Sequence, residues 1–275
     1  MEFTFAHREE GFDSHIENSI RGYNDLLNDV VNFSRSFVED ETNIVDIGSS
    51  TGKTVKRLIL SNNDQAPSAY WNGIEIEVGF QNEIEKRRRE IRKLYPEALV
   101  NFELKDIRDY IFTNCSLVTS IFTLQFMSMK DRQDVVNSIY KGLNDGGAFI
   151  FAEKINCEDG RLQDMMTFNY YDFKSENFDY QDIMTKEKQL RHMLKPYTYS
   201  RLKHMLFTAG FSEDFMLSAL ADVIPYSSAS IIVFKDHLTI SSHTESPCLT
   251  TGPKGSLEIV SGRTMCSSGF FIFVL

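Results

Sequence analysis

Cysteine is scarce and poorly spaced for chemistry. Cys115, Cys157, Cys248 and Cys266 form no CxxC pair, and none lies three or four residues from a histidine. No metal site is therefore expected. Scattered thiols in an acidic chain point to the reducing cytoplasm. Basic charge is in deficit: 29 Lys and Arg against 39 Asp and Glu give a net charge of −10. Such a chain is a poor general ligand for nucleic acid or an anionic membrane, so neither partner is expected. No apolar run approaches the roughly 20 residues that a membrane span needs. Residues 1–10 carry no apolar segment behind a basic start, so no signal peptide is expected. No internal repeat of 20 to 50 residues is visible.

What is present is an ordinary globular composition. Hydrophobic residues make up 42% and charged residues 25% of 275 residues, enough for a large core without staples. Helical spacing runs over 13–39, and a short apolar strand covers 43–47. A small-residue turn and a helix over about 53–61 follow. Strands are predicted at 70–76, 100–104, 117–122 and 148–154. Helices are predicted at 77–95 and 131–143, the second closed by a turn at 144–147. Residues 158–210 read as mostly helical with a break at Lys195-Pro196, and two closing strands sit at 214–220 and 228–234. Strands that alternate with helices, and are apolar throughout, predict an α/β fold with a parallel sheet and helices on both faces.

The last 39 residues differ. From 237 to 275, twelve are Ser or Thr, four Gly and two Pro. We read 1–236 as the functional domain and 237–275 as a weakly ordered appendage ending in the apolar stretch 269–275.

The segment Val45-Asp-Ile-Gly-Ser-Ser-Thr-Gly-Lys-Thr54 is the most informative. An acid ends a strand, a small-residue turn follows, and a helix begins. Ligands of open α/β sheets bind at this place. Gly48 lets the backbone approach a ligand with no Cβ in the way. The string ends like a phosphate-binding P-loop, but only three residues separate Gly48 from Gly52 where four are needed. The dinucleotide fingerprint also fails, because position 50 is Ser. The remaining pattern, Asp-x-Gly-x-Ser-x-Gly, looks like motif I of the class I methyltransferases. Glu75, at the end of the second strand, offers two acceptor oxygens to two vicinal ribose hydroxyls. Asp106, after the third strand, is placed to accept from an adenine amino group. Asp46, Glu75 and Asp106 thus end three successive strands.

Further motifs sharpen the picture. Arg21-Gly-Tyr23, Ile121-Phe-Thr-Leu-Gln-Phe126, Ser138-Ile-Tyr-Lys-Gly-Leu-Asn-Asp-Gly-Gly-Ala148, Glu153-Lys154, Glu158-Asp159, Asp172-Phe-Lys174 and Ala209-Gly-Phe211 resemble the carboxy-S-adenosylmethionine synthase family, over about 12–235. The resemblance implies a Rossmann-like class I methyltransferase fold. Its mostly parallel sheet has seven strands, the last antiparallel. It implies S-adenosylmethionine as cofactor, held by Tyr23, Asp46, Gly48, Ser49, Ser50, Gly52, Glu75, Ile76, Asp106, Ile107 and Ile121. In that family the cofactor is carboxylated with prephenate, and a partner enzyme uses the product on a tRNA wobble uridine. The family's Gly-Cys-Ser loop reads Gly48-Ser49-Ser50 here, and its ribose Asp is Glu75.

Two positions depart. Ile121 stands for the family's Asn. The arginine that pairs with the added carboxylate falls on Glu187 or Lys188, depending on a one-residue gap. Arg191 lies about one helical turn further on. Lys188, Arg191 and the aromatic pair Tyr170 and Tyr171, in a segment that covers the family's active site, are the candidate substrate contacts. A buried carboxylate needs a fixed cation, best a bidentate arginine. The residues themselves therefore favour methyl transfer to a small-molecule acceptor, with carboxylation as the alternative. A non-catalytic module that keeps the cofactor site is a third reading. No catalytic residue is assigned, and a homodimer is left open. Lys86-Arg-Arg-Arg-Glu-Ile-Arg-Lys93 holds six basic residues in eight. We read it as a solvated helix face rather than a tRNA contact.

Overall fold

The computed structural model describes residues 11–212, 216–219, 228–235, 248–251 and 257–260. The predicted first helix is two helices, α1 (Phe12–Ser19) and α2 (Tyr23–Ser34). The break is at Gly22, whose φ of 72° is left-handed. A residue without a Cβ adopts that turn at little cost. The chain then alternates: β1 (Asn43–Ile47), α3 (Lys53–Asn62), β2 (Tyr70–Glu75), α4 (Gln81–Leu94), β3 (Leu99–Leu104), β4 (Cys115–Ile121) and α5 (Met129–Gly142). After β5 (Leu143–Asn156) come α6 (Gly160–Ser175), α7 (Tyr180–Leu190), the two-residue β6 (Tyr197–Thr198) and α8 (Tyr199–Ala209). The closing strands are β7 (Met216–Ala219) and β8 (Ser228–Phe234).

Seven strands run in the order β3-β2-β1-β4-β5-β8-β7, with β6 beside β5. The first five are parallel to one another, and β8 is antiparallel to both its neighbours. The expected mostly parallel sheet, with its last strand antiparallel, is what forms. The predicted turn at 144–147 lies inside β5. There the pairing with β4 shifts register, from Cys115 opposite Leu143 to Leu117 opposite Ala148. The order reverses between β1 and β4, which opens a crevice at their carboxyl ends.

Adjacent strand residues enter opposite cores. Ile44, Leu117 and Ile150 join Leu27 and Val30 of α2 and Leu58 of α3 on one side. Val45, Val118, Phe149 and Phe151 join Val136 and Ile139 of α5 and Leu202 of α8 on the other. A sheet covered on both faces needs apolar residues at every position, which is why these strands read as unbroken runs. Side chains cap several helices: Ser128, Asp159, Asp179 and Thr198 accept from backbone N–H groups in the first turns of α5, α6, α7 and α8.

Within 237–275 the structure describes β9 (Cys248–Thr251) and β10 (Leu257–Val260), an antiparallel pair apart from the main sheet. The apolar stretch 269–275 lies outside the described residues. Among those residues no helix is long and apolar enough to cross a membrane, and no cluster of metal-binding side chains occurs.

Candidate functional site

A cavity of about 580 Å³ opens where β1, β2 and β4 end. Its floor is the turn after β1, residues 48–52, which has three left-handed residues: Gly48 (φ 68°), Ser50 (φ 46°) and Gly52 (φ 75°). Two are glycines, but Ser50 holds this conformation against its own Cβ. Glu75 secures it: one carboxylate oxygen accepts from the Ser50 backbone N–H at 2.7 Å and the other from the Glu77 N–H at 2.8 Å. The Ile76 N–H is a third backbone donor to this carboxylate, and Glu75 lines the cavity. The Thr123 hydroxyl tucks under Gly48 and donates to the Ile47 carbonyl at 3.0 Å.

Asp46 also faces the cavity, almost wholly buried. Its Oδ1 accepts from the Thr119 hydroxyl at 2.7 Å. Burial pushes its carboxyl up to about 7, against the pull of Thr119 and with help from the nearby Glu75. A dry carboxyl beside a cavity is a natural partner for a ligand cation. Tyr23 lines the wall below α1, its phenol raised well above its ordinary range by burial. Asp106 lines the far end, but not as the open acceptor the sequence suggested. Arg108 grips it through Nε and Nη2, the closest approach being 2.6 Å, and holds it below the usual carboxylate range.

Of the residues expected from sequence, the fold brings Tyr23, Asp46, Gly48, Ser50, Glu75, Ile76, Asp106, Ile107, Ile121 and Tyr170 to the cavity wall. Ser49, Gly52, Tyr171, Lys188 and Arg191 are not in that wall. Ser49 is buried behind the floor. Lys188 and Arg191 are exposed on the outer side of α7 and at its end. Helical spacing explains Lys188, since Lys186, Glu187 and Leu190 share the inward face, while Arg191 is the C-cap where the helix ends.

The sequence reading missed the cations on that wall. Lys154, Lys174 and Lys186 line the cavity. The Lys154 and Lys174 ammonium groups lie 5.0 and 4.9 Å from the Tyr170 ring centroid, close enough for cation–π attraction. Lys174 is almost wholly buried, and Lys186 contacts His15 of α1. The signal was there for two of them, since Lys154 and Lys174 stand in the motifs Glu153-Lys154 and Asp172-Phe-Lys174. Helix α1 roofs the cavity with Phe12, His15, Ile16 and Ser19.

No family model matches the chain. Individual proteins do. The carboxy-S-adenosyl-L-methionine synthase of Staphylococcus epidermidis is 36% identical over 205 residues, covering 74% of this chain and 85% of that protein. The enzyme of the same name from Shewanella sediminis is 31% identical over 215 residues, covering 76% and 85%. Among solved structures, the O-methyltransferase family protein of Burkholderia thailandensis matches at TM-score 0.55 and 12% identity, covering 86% of this chain and 62% of that one. The S-adenosylmethionine-dependent methyltransferase SibL matches at 0.53 and 15%, covering 82% and 56%. Those two share the fold. The synthases, at 36% and 31% identity over about three quarters of the chain, show more than the fold, and by that match the chain belongs to the carboxy-S-adenosyl-L-methionine synthase family.

Proposed function

We propose that this protein transfers the methyl group of S-adenosylmethionine to a small-molecule acceptor. A member of this family is an S-adenosylmethionine-dependent transferase; which group moves, and to what, is the question. The donor set fits the cofactor. Glu75 presents its carboxylate at the cavity wall for the ribose diol, and Asp46 offers a carboxyl where the amino acid part would pass. Tyr23, Ile76, Ile107 and Ile121 give it apolar and aromatic walls. When bound, the cofactor supplies a sulfonium-activated methyl group. The chain's own work is then to orient the acceptor and to exclude water, which the roof of α1 and the apolar Leu190, Met193 and Leu194 do. No side chain is assigned as a general base.

The observation that carries methyl transfer is Glu187. It, rather than Lys188, lines the cavity. It lies near enough to Tyr170 and Tyr171 for its charge to help raise both phenols. A carboxylate added to the cofactor would meet an acid there, and like charges in a partly dry site repel strongly. Ile121 adds no donor to help.

A second reading has its own support. Lys154, Lys174 and Lys186 are fixed cations on the same wall, and the relatives are named as synthases of the carboxylated cofactor. On that reading the substrate is prephenate and the product feeds modification of a tRNA wobble uridine. The free thiols and acidic charge suit the cytoplasm on either reading.

Mass spectrometry separates them. The protein is incubated with S-adenosylmethionine, with and without prephenate. Methyl transfer predicts no product heavier by one carboxyl group; such a product would overturn it in favour of carboxylation. Glu75→Ala is expected to weaken S-adenosylhomocysteine binding by about 1–3 kcal/mol in calorimetry, the worth of hydrogen bonds to a charged acceptor.

A further inference from the structure

The basic run on α4 is not uniformly solvated. Arg88 pairs with Glu85 at 2.6 Å, and Lys86 lies 3.9 Å from Glu83. Arg87 turns inward, with a side chain only 17% exposed. Its three nitrogens go to three places. Nε donates to the Thr51 carbonyl, inside the floor turn, at 3.3 Å. Nη2 donates to Asp13 of α1 at 2.9 Å, and Nη1 donates to Glu90 at 3.0 Å. Asp13 closes the circuit: its other oxygen accepts from the Thr51 hydroxyl at 2.7 Å. Glu90 is itself held by Lys56 of α3 at 2.8 Å. Helix α1 is also tied to α3, through Glu17 and Lys53.

We propose that Arg87 is a positioning residue that sets the floor turn at Thr51 and pins α1 over the cavity, and so governs how long the nucleoside cofactor stays bound. Arg87 does not line the cavity; it acts through Thr51 and Asp13. The geometry suits only a planar fork. A lysine carries the charge but cannot send separate N–H groups to Thr51, Asp13 and Glu90 at once. α1 supplies the cavity's roof, so a ligand of nucleoside size leaves more readily when that roof lifts. Lifting it breaks the charge-assisted bond between Arg87 and Asp13 and the hydroxyl bond from Thr51.

The inference rests on the cofactor reading above, and the test separates the two. S-adenosylhomocysteine is the probe, with the full chain as wild type, Arg87→Lys, Arg87→Ala, Asp13→Asn and the Arg87→Ala, Asp13→Asn double variant. Dissociation constants, stopped-flow release rates and melting temperatures are measured. Arg87→Ala and Asp13→Asn are each expected to speed release roughly tenfold or more, the loss of one charge-assisted bond. Arg87→Lys recovers part of that loss. The double variant is no worse than Arg87→Ala, because the partners act as one unit. Variants that hold the probe as long as wild type overturn the proposal, as do additive effects in the double variant. If Arg87→Ala fails to fold, Asp13→Asn decides, since it keeps the arginine. A lower melting temperature with unchanged release marks a merely structural role and also overturns it. A wild type that does not bind the probe overturns the cofactor reading as well; a wild type that binds, with variants that match it, overturns Arg87 alone.

Discussion

Asp46 holds its proton to about pH 7 because its carboxyl is dry. A cation brought in by a ligand reverses that preference and stabilises the charged form. If the amino group of the cofactor takes this place, binding near pH 6 expels a proton from Asp46. Affinity for S-adenosylhomocysteine is then expected to rise from pH 6 to pH 8 and to level off above the Asp46 pKa. Calorimetry in two buffers of different ionisation heat would detect the released proton. Asp46→Asn, which cannot ionise, is expected to flatten the profile and abolish the buffer dependence. A profile unchanged by that substitution would remove Asp46 from the cation's surroundings. Asp46 and Glu75 were legible because an acid at a strand end is a local pattern. The grip of Arg108 on Asp106 was not legible: a short-range ion pair and a ligand contact look alike in a string of letters.

At the scale of elements, the site depends on how closely β2, β3 and the floor turn approach one another. Gly73, in the middle of β2, makes the approach possible. A Cβ built on it would lie 2.5 Å from the Phe102 ring of β3 and 2.9 Å from the Ser49 hydroxyl. Gly73→Ala is therefore expected to push both outward. The cost should be about 1–3 kcal/mol of stability, as for overpacking elsewhere, read from urea denaturation. S-adenosylhomocysteine should also bind more weakly, because Ser49 precedes the left-handed Ser50. Most elements could be read from periodicity, since buried parallel strands and amphipathic helices advertise themselves. The break at Gly22 was hidden because residues on both sides continue one apolar stripe. The inward face of α7 was hidden for a different reason. Its composition suits either orientation, and only packing against α6 and α1 settles that Glu187 faces in and Lys188 out.

For the whole molecule, buried acids shape the dependence on pH, Asp46 and Glu153 most of all. Burial raises Asp46 to about 7 and Glu153 to about 8, the latter despite Arg132 nearby. In the unfolded chain both lose their protons near pH 4. Between about pH 4 and 8 the folded state thus holds protons that the unfolded chain has released, so stability falls as pH rises through that window and levels off above it. Chemical denaturation at pH 5.5, 7 and 8.5 would show the decline. Glu153→Gln, neutral at every pH, should shrink the upper part of it. A Glu153→Gln variant whose stability falls with pH as steeply as that of the wild type would mean that Glu153 is already ionised in the fold. Neither shift could be read from sequence, because both depend on how much water the finished core excludes. The acidic surplus of the chain says nothing about which acids lose their water.

The antiparallel finish of the sheet sets a schedule for synthesis. Residues 148–154 of β5 pair with residues 228–234 of β8, so that face of β5 has no partner until the later strand exists. About 80 residues separate the end of the one from the end of the other. A ribosome adding roughly 5–20 residues per second takes about 4–16 s to cover them. For that time the nascent chain shows an apolar strand edge, Ala148 to Ala152, to whatever is nearby. That exposure recurs each time the chain is made, and chaperone demand should be met in those seconds.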